Sequence, residues 1–349
     1  MTSTPTPSLP LNPKKRVPLL KNFTHLHQTP DHEHSLPVKQ TKTHPAHDDP
    51  SAPLKASIYF IGTATTLLSY SSIRILTDPN FLHAGDHVHL GPGVTSTRLT
   101  DPAVPDLDSL PPIDLILLSH YHEDHFDREV ENSLNRQFPI VTTPHAKDCL
   151  TSQSKQEPFR NIHALDTFQS LQLPIEGDDS NRSAVKVTAM PGKHVPPGPL
   201  AVANDLLGAV PPTNGWLVEL GKTSTTTSDG FETGYRIYIS GDTLMVPELK
   251  EIPKYLDGEK IDLMLVHLGG TTIPGKHMPL LMVTMDGAQG VELMKLVDPD
   301  VTVPIHFDDY DVMLSGLDDF KKEVEKAGLS GRVVYLDRGD RYQFGVRGG

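Results

Sequence analysis

The chain is predicted to be an α+β protein built on two packed β-sheets with helices outside. Two observations carry this. Short apolar, strand-like runs alternate with helical patterns along the chain. They do so in two successive halves, each rich in hairpins, which suits two sheets packed face to face.

Residues 1–52 stand apart. They are rich in Pro, Thr and Ser and hold His25, His27, His32, His34, His44 and His47. With too few large apolar residues for a core, they read as an extended arm that either wanders or packs along the body, with a solvated tail as the expectation. The irregular histidine spacing argues against a fixed metal site there. The globular domain is assigned to 53–349. Residues 57–61 read as its first strand. Residues 62–66 lack the Gly-Lys-Ser/Thr ending of a phosphate loop and read as a turn. Residues 66–70 and 73–77 form a hairpin over Ser71-Ser72, and Asp78 stands where its second strand stops. The turn-rich connection 80–112, with His83, His87 and His89, is long enough to suggest a functional loop. The apolar run 113–118 reads as a buried strand. A helix over 127–135, a strand over 139–143 and a helix over 144–150 follow. Residues 184–190 form a strand leading to His194. The Pro/Gly-rich stretch 196–212 is a candidate lid. Residues 215–220 and 235–240 pair as a hairpin, and 262–266 is a short buried strand ending at His267. Helical periodicity covers 284–297 and 317–326, and 301–305 and 333–336 complete the strands.

Net charge is −13 over 349 residues, with no basic stripe. Nucleic acid and anionic membrane surfaces are therefore poor partners. A local positive metal centre still admits an anionic small molecule. The single cysteine, Cys149, rules out an intrachain disulfide or a Cys-built metal site, and reads as a small apolar residue. No apolar run approaches the ~20 residues that span a bilayer. No hydrophobic signal core opens the chain, so a soluble, cytoplasmic protein is expected. Oligomeric state is not legible.

The strand 113–118 runs into Ser119-His120-Tyr121-His122-Glu123-Asp124-His125-Phe126-Asp127, with three histidines and an aspartate inside six residues. A strand end delivers these groups into one small volume. Imidazole nitrogen and carboxylate oxygen are the donors preferred by Zn²⁺ and similar ions.

His120-x-His122-x-Asp124-His125 resembles the signature of the metallo-β-lactamase-fold hydrolases. Four further motifs match in the family's order: Asp78 in Arg74-Ile-Leu-Thr-Asp78-Pro79, His194 in Ala189-Met-Pro-Gly-Lys-His194, Asp242 in Ser240-Gly241-Asp242-Thr243, and His306 in Val301-Thr-Val-Pro-Ile-His306. Gly91-Pro92 and Leu110-Pro-Pro-Ile-Asp-Leu115 resemble the branch that holds ascorbate-6-phosphate-lactonase-like enzymes and the N-acylphosphatidylethanolamine phospholipase D type. The resemblance implies the αββα sandwich of the metallo-β-lactamase fold. It implies two divalent ions, Zn²⁺ first and Mn²⁺ second. His120, His122 and His194 hold one, Asp124, His125 and His306 hold the other, and Asp242 lies between them. Asp78 buttresses the loop without binding metal.

Two such ions share a hydroxide that attacks a carbonyl or phosphoryl centre, and they accept the developing oxyanion. No Gly-x-Ser-x-Gly elbow is present. Asp124, His267 and Tyr310 are candidate proton carriers, and Lys193 and Lys276 candidate anion contacts. The expected activity is hydrolysis of a small cyclic ester or amide. A phosphodiesterase or phospholipase D-like hydrolase is the alternative. A non-catalytic metal scaffold and an iron-dependent, oxygen-using member stand behind these.

Overall fold

In the strand Leu54–Gly62, Ile58 and Phe60 face one apolar cluster and Tyr59 and Ile61 another. Successive strand side chains point to opposite faces, so a strand apolar at every position must be covered on both. The strand Leu263–His267 repeats this, with Leu263 and Leu265 on one side and Met264 and Val266 on the other. These patterns define four layers. The computed structural model describes residues 6–22, 36–47, 52, 54–91, 93–177, 182–196, 198–199, 204, 210–275 and 277–347.

One sheet runs Thr41–Lys42, Arg341–Val346, Leu54–Gly62, Thr65–Tyr70, Ile73–Thr77, Leu115–Leu117, Ile140–Thr142, Ile162–Ala164. The other runs Ser170–Pro174, Ser183–Met190, Gly215–Thr223, Phe231–Ile239, Leu263–His267, Val301–Ile305. Between them lies a cluster fed by both, including Leu68, Leu117, Val187, Trp216, Ile237 and Val303. The helices Gly287–Val297 and Leu317–Lys326 cover the outer face of the second sheet through Val291, Met294 and Phe320. The helices Arg128–Ser133 and Pro144–Thr151 cover the first through Val130, Ala146 and Leu150. The expected αββα sandwich is the architecture found.

Asp127 caps its helix by accepting from Val130 N–H, which leaves Asp124 free of that duty. Asp286 does the same for Gly287–Val297, so this helix starts three residues later than its periodicity suggested. Two expectations are corrected. Residues 333–336 make only an isolated bridge, Val333 to Thr302, and the terminal strand is Arg341–Val346, whose Tyr342, Phe344 and Val346 are buried alternately. Nor is the arm solvated where it is described. Leu11 is buried in the central cluster, and Leu9 and Leu11 donate main-chain hydrogen bonds to the edge strand Ser170–Pro174. Thr41–Lys42 pairs in parallel with the terminal strand. A few well-placed apolar residues and an open sheet edge suffice to hold a segment that has no core of its own.

A three-stranded cap, Gly269–Gly275, Met278–Met282 and Met313–Ser315, was not anticipated. It follows His267 and carries Leu280, one of the most exposed large apolar side chains. Among the described residues no helix is long and apolar enough to cross a membrane.

Candidate metal centre

The chemistry-bearing side chains stand where strands end, at one rim of the sandwich. The loop from His120 to His125 follows Leu115–Leu117 and is closed by His125 and Phe126 N–H donating to His122 C=O. Asp78 follows Ile73–Thr77, His194 lies beyond Ser183–Met190, Asp242 beyond Phe231–Ile239, and His306 follows Val301–Ile305. Gly241 shows why the Gly-Asp pair is needed. Its φ is +61°, and a Cβ there would lie 2.4 Å from Asn214 C=O. Asp78 and His306 hold positive φ of 37° and 60° as non-glycine residues, local strain of the kind that gathers at functional sites.

These ends bring together three overlapping groups of side chains. They are Asp124, His125, Asp242 and His306; His120, His194 and Asp242; and His120, His122 and Asp124. Within each, the ligand atoms all lie within 4.8 Å of one another. His120 Nε2 is 3.2 Å from His194 Nε2. His125 Nε2 is 3.1 Å and His306 Nε2 3.6 Å from Asp242 Oδ2, and His122 Nδ1 is 2.9 Å from Asp124 Oδ1. All are buried except His122, which is half-buried.

Neighbouring groups fix which nitrogen faces inward. His194 Nδ1 donates to Val283 C=O and His306 Nδ1 to Leu268 C=O, each at 3.0 Å. A carbonyl only accepts, so in the neutral imidazoles both Nε2 atoms carry lone pairs toward the cluster, although at His306 burial is outweighed by Asp242 and Asp124, which raise it above its ordinary value. Asp78 Oδ2 lies 3.3 Å from His125 Nδ1 and leaves its Nε2 likewise when that imidazole is neutral, while Asp78 Oδ1 accepts from Ser119 N–H at 2.7 Å. Carboxylate and carbonyl partners of this kind orient metal-binding imidazoles.

His120 Nε2 and His194 Nε2 face each other within hydrogen-bond distance, but four other inward atoms are not satisfied. Asp124 Oδ1, His125 Nε2, Asp242 Oδ1 and His306 Nε2 are buried without a hydrogen-bond partner despite their short separations. Leaving a polar atom so costs about 1–3 kcal/mol. Atoms aimed at a shared point rather than at each other suit a cation. Electrostatics agree. Burial pushes His194 down to about 4 and His120 well below the usual histidine range, leaving neutral imidazoles. Burial opposes charge on Asp124 and Asp242, but the surrounding histidines outweigh it and hold both well below the usual carboxylate range. At His125 burial is in turn outweighed by Asp242 and Asp124, which hold it well above its ordinary value. The site favours positive charge.

The remaining sequence candidates fall in different places. His267 is fully buried with both nitrogens unpartnered, its Nδ1 4.0 Å from Asp242 Oδ1, and burial pushes it down to about 4. Tyr310 is buried too, its phenol accepting from Asn80 Nδ2 at 2.7 Å. His87 and His89 lie exposed on the ribbon His87–His89 and Thr95–Thr97. His83, His87 and His89 join none of the three groups. Lys193 pairs with Glu248. Lys276 and most of 196–212 lie outside the described residues. A cleft of about 460 Å³ opens beside His122, lined by His89, Tyr121, Glu123, Arg128, Glu131 and Lys155 among others.

Sequence reasoning missed the groups that hold the rim in place. Thr284 Oγ1 donates to Asp242 Oδ2 at 3.3 Å. Arg98, 1% exposed, donates to Asn80 Oδ1 and pairs at 3.3 Å with Asp309, which also accepts from Thr63 N–H and Thr100 Oγ1. Asn80 lies two residues past Asp78, a signal that could have been followed; the others have none.

Fold and site together define a metal-dependent hydrolase of the metallo-β-lactamase type, and comparison with known proteins agrees. Residues 73–307 match the model of the beta-lactamase superfamily domain, and the chain belongs to that superfamily. A metal-dependent hydrolase of Archaeoglobus fulgidus is 23% identical over 82% of this chain and 98% of its own length. One of Salinibacter ruber is 24% identical over 78% and 94%. Among solved structures, the isothiocyanate hydrolase from Delia radicum gut bacteria superposes with a TM-score of 0.61 at 19% identity, covering 82% of this chain and 98% of that one.

Proposed function

We propose that the chain hydrolyses a small cyclic ester or amide, as a lactonase or lactamase does, with two divalent ions, zinc first and manganese second. The observation that carries the two-ion reading is Asp242, which lies with Asp124, His125 and His306 in one convergent group and with His120 and His194 in another. In this reading His120, His122 and His194 hold one ion, Asp124, His125 and His306 the other, with Asp242 between. When bound, such ions supply Lewis acidity and bring the pKa of a bound water from ~16 to near 7.

The chain's own groups do the rest. Asp78 fixes the orientation of His125, and Thr284 that of Asp242. Asp124, held ionised, serves as ligand and proton acceptor. Tyr310 is the donor to the leaving group. Burial keeps its phenol protonated, and because its oxygen accepts from Asn80, its own hydrogen is free to point elsewhere. His267 stays a neutral imidazole beside Asp242. The cleft at His122 has the volume of a small-molecule site, within the usual ~300–1,000 Å³. Its mixed lining of Glu123, Glu131, Arg128 and Lys155 suits a polar substrate.

The test is a panel of lactones, lactams, phosphodiesters and an isothiocyanate offered to zinc- and manganese-loaded protein, with metal content measured alongside. Turnover of a lactone or lactam with two ions per chain is expected. Turnover of phosphodiesters alone transfers the assignment to the phosphodiesterase reading. Iron in the site with oxygen uptake and no hydrolysis overturns the proposal.

A further inference from the structure

The strands Leu263–His267 and Val301–Ile305 run in parallel. Their C-terminal ends present His267 and His306 to the rim described above. Asp262 and Asp300 immediately precede their N-terminal ends, about 17 Å away for five residues at ~3.3 Å each. At that far end, His47 of the arm meets them. His47, Asp262 and Asp300 bring one ligand atom each to within 4.8 Å of the others.

His47 is 4% exposed, and its Nε2 is buried without a hydrogen-bond partner among the described residues. Its Nδ1 faces two phenols, Tyr342 at 2.6 Å and Tyr235 at 2.9 Å. When Nδ1 carries the single ring hydrogen and donates it to one of these oxygens, Nε2 becomes a lone-pair donor, the state required of a metal-binding histidine. Its main chain is held as well, with Gly345 N–H donating to His47 C=O. Asp262 is buried and accepts from Arg236 N–H at 2.7 Å. Arg347 also pairs with Asp262, through Nη1 at 2.8 Å and Nη2 at 3.1 Å, and its side chain is 57% exposed. With Arg347 counted, the two carboxylates still leave one uncompensated negative charge.

We propose that His47, Asp262 and Asp300 form a second cation site, separate from the rim, that takes a divalent ion of the zinc type and pins the arm to the body. One imidazole and two carboxylates are a donor set that such an ion accepts, with water completing its coordination. The ion takes the place of the Arg347 guanidinium beside Asp262. It joins three segments far apart in sequence, so it acts as a clasp rather than as a reaction centre.

Two measurements on the full-length chain test this. In crystals of the parent protein soaked in zinc chloride, anomalous diffraction at the zinc edge is expected to show a peak between His47, Asp262 and Asp300. The second uses Asp300→Asn, which leaves the Arg347 pair and both tyrosine contacts in place. It is expected to bind one fewer zinc equivalent per chain than the parent and to lose part of the zinc-induced rise in Tm. Turnover should be unchanged. Zinc peaks confined to the rim, or equal zinc content in parent and Asp300→Asn, overturn the proposal.

Discussion

At the scale of single residues, charge and proton inventory separate the roles given to the rim. Asp242→Asn keeps the shape but removes a charge shared by two groups. It is expected to lose one ion per chain and about a thousand-fold in turnover, since a Lewis-acid and nucleophile defect costs several kcal/mol in the barrier. Two retained ions with near-parental activity would remove the bridging role. Tyr310→Phe keeps the ring on its neighbours and deletes only the hydroxyl. A drop of ~10²-fold in kcat is expected, with metal content and Tm little changed; parental kcat excludes Tyr310 as donor. Asp309→Asn addresses stability instead. It leaves the buried Arg98 guanidinium short of its compensating charge, a defect that costs about 3–5 kcal/mol, so thermal melting should show a large fall in Tm. The sequence already displayed the motif histidines and aspartates because they crowd a few strand ends. Arg98 and Asp309 were hidden because a pair separated by 211 positions leaves no local pattern.

Elements were legible in proportion to their periodicity. The helix Leu317–Lys326 and the strand Val301–Ile305 stand where their patterns put them. The terminal strand is the exception: Arg341, Gln343 and Gly345 alternate with buried Tyr342, Phe344 and Val346, the period-two pattern of a strand covered on one face, yet the sequence reading ended its strands at 333–336. The arm is the larger reversal. Composition suggests that removing residues 1–50 is harmless. The structure gives these residues a buried Leu11, the pairing of Thr41–Lys42 and the tyrosine-bonded His47. The deletion is therefore expected to lower Tm sharply, with Leu11→Ala alone costing about 2 kcal/mol, at the low end for a buried leucine because it sits at a sheet edge. A truncated chain that melts with the parent would show that the arm's contacts add nothing.

For the whole molecule, sequence reading reached the layered architecture because two runs of strands, each followed by helices, admit few packings. It did not reach the cap: Gly269–Gly275 holds one large apolar residue among Gly, Thr and Pro, and the apolar run Met278–Met282 is broken by Pro279. Chelation followed by calorimetry bears on the rim as a unit. Metal-loaded protein should outlast stripped protein, by ~4 kcal/mol when free metal exceeds Kd a thousand-fold, and readdition should restore the difference. An unchanged Tm would mean that the rim side chains bind no ion in the folded state. One further consequence lies in the division of these side chains between the sheets. Asp78 and the His120–His125 loop belong to strands of the first; His194, Asp242 and His306 extend from the second. In the proposed two-ion reading neither half of the chain owns a full ligand set. On that reading a nascent or damaged molecule in which only one sheet has formed would be chemically silent, and the reactive centre would come into being when the two halves close on each other. Activity would then be a certificate of completed assembly.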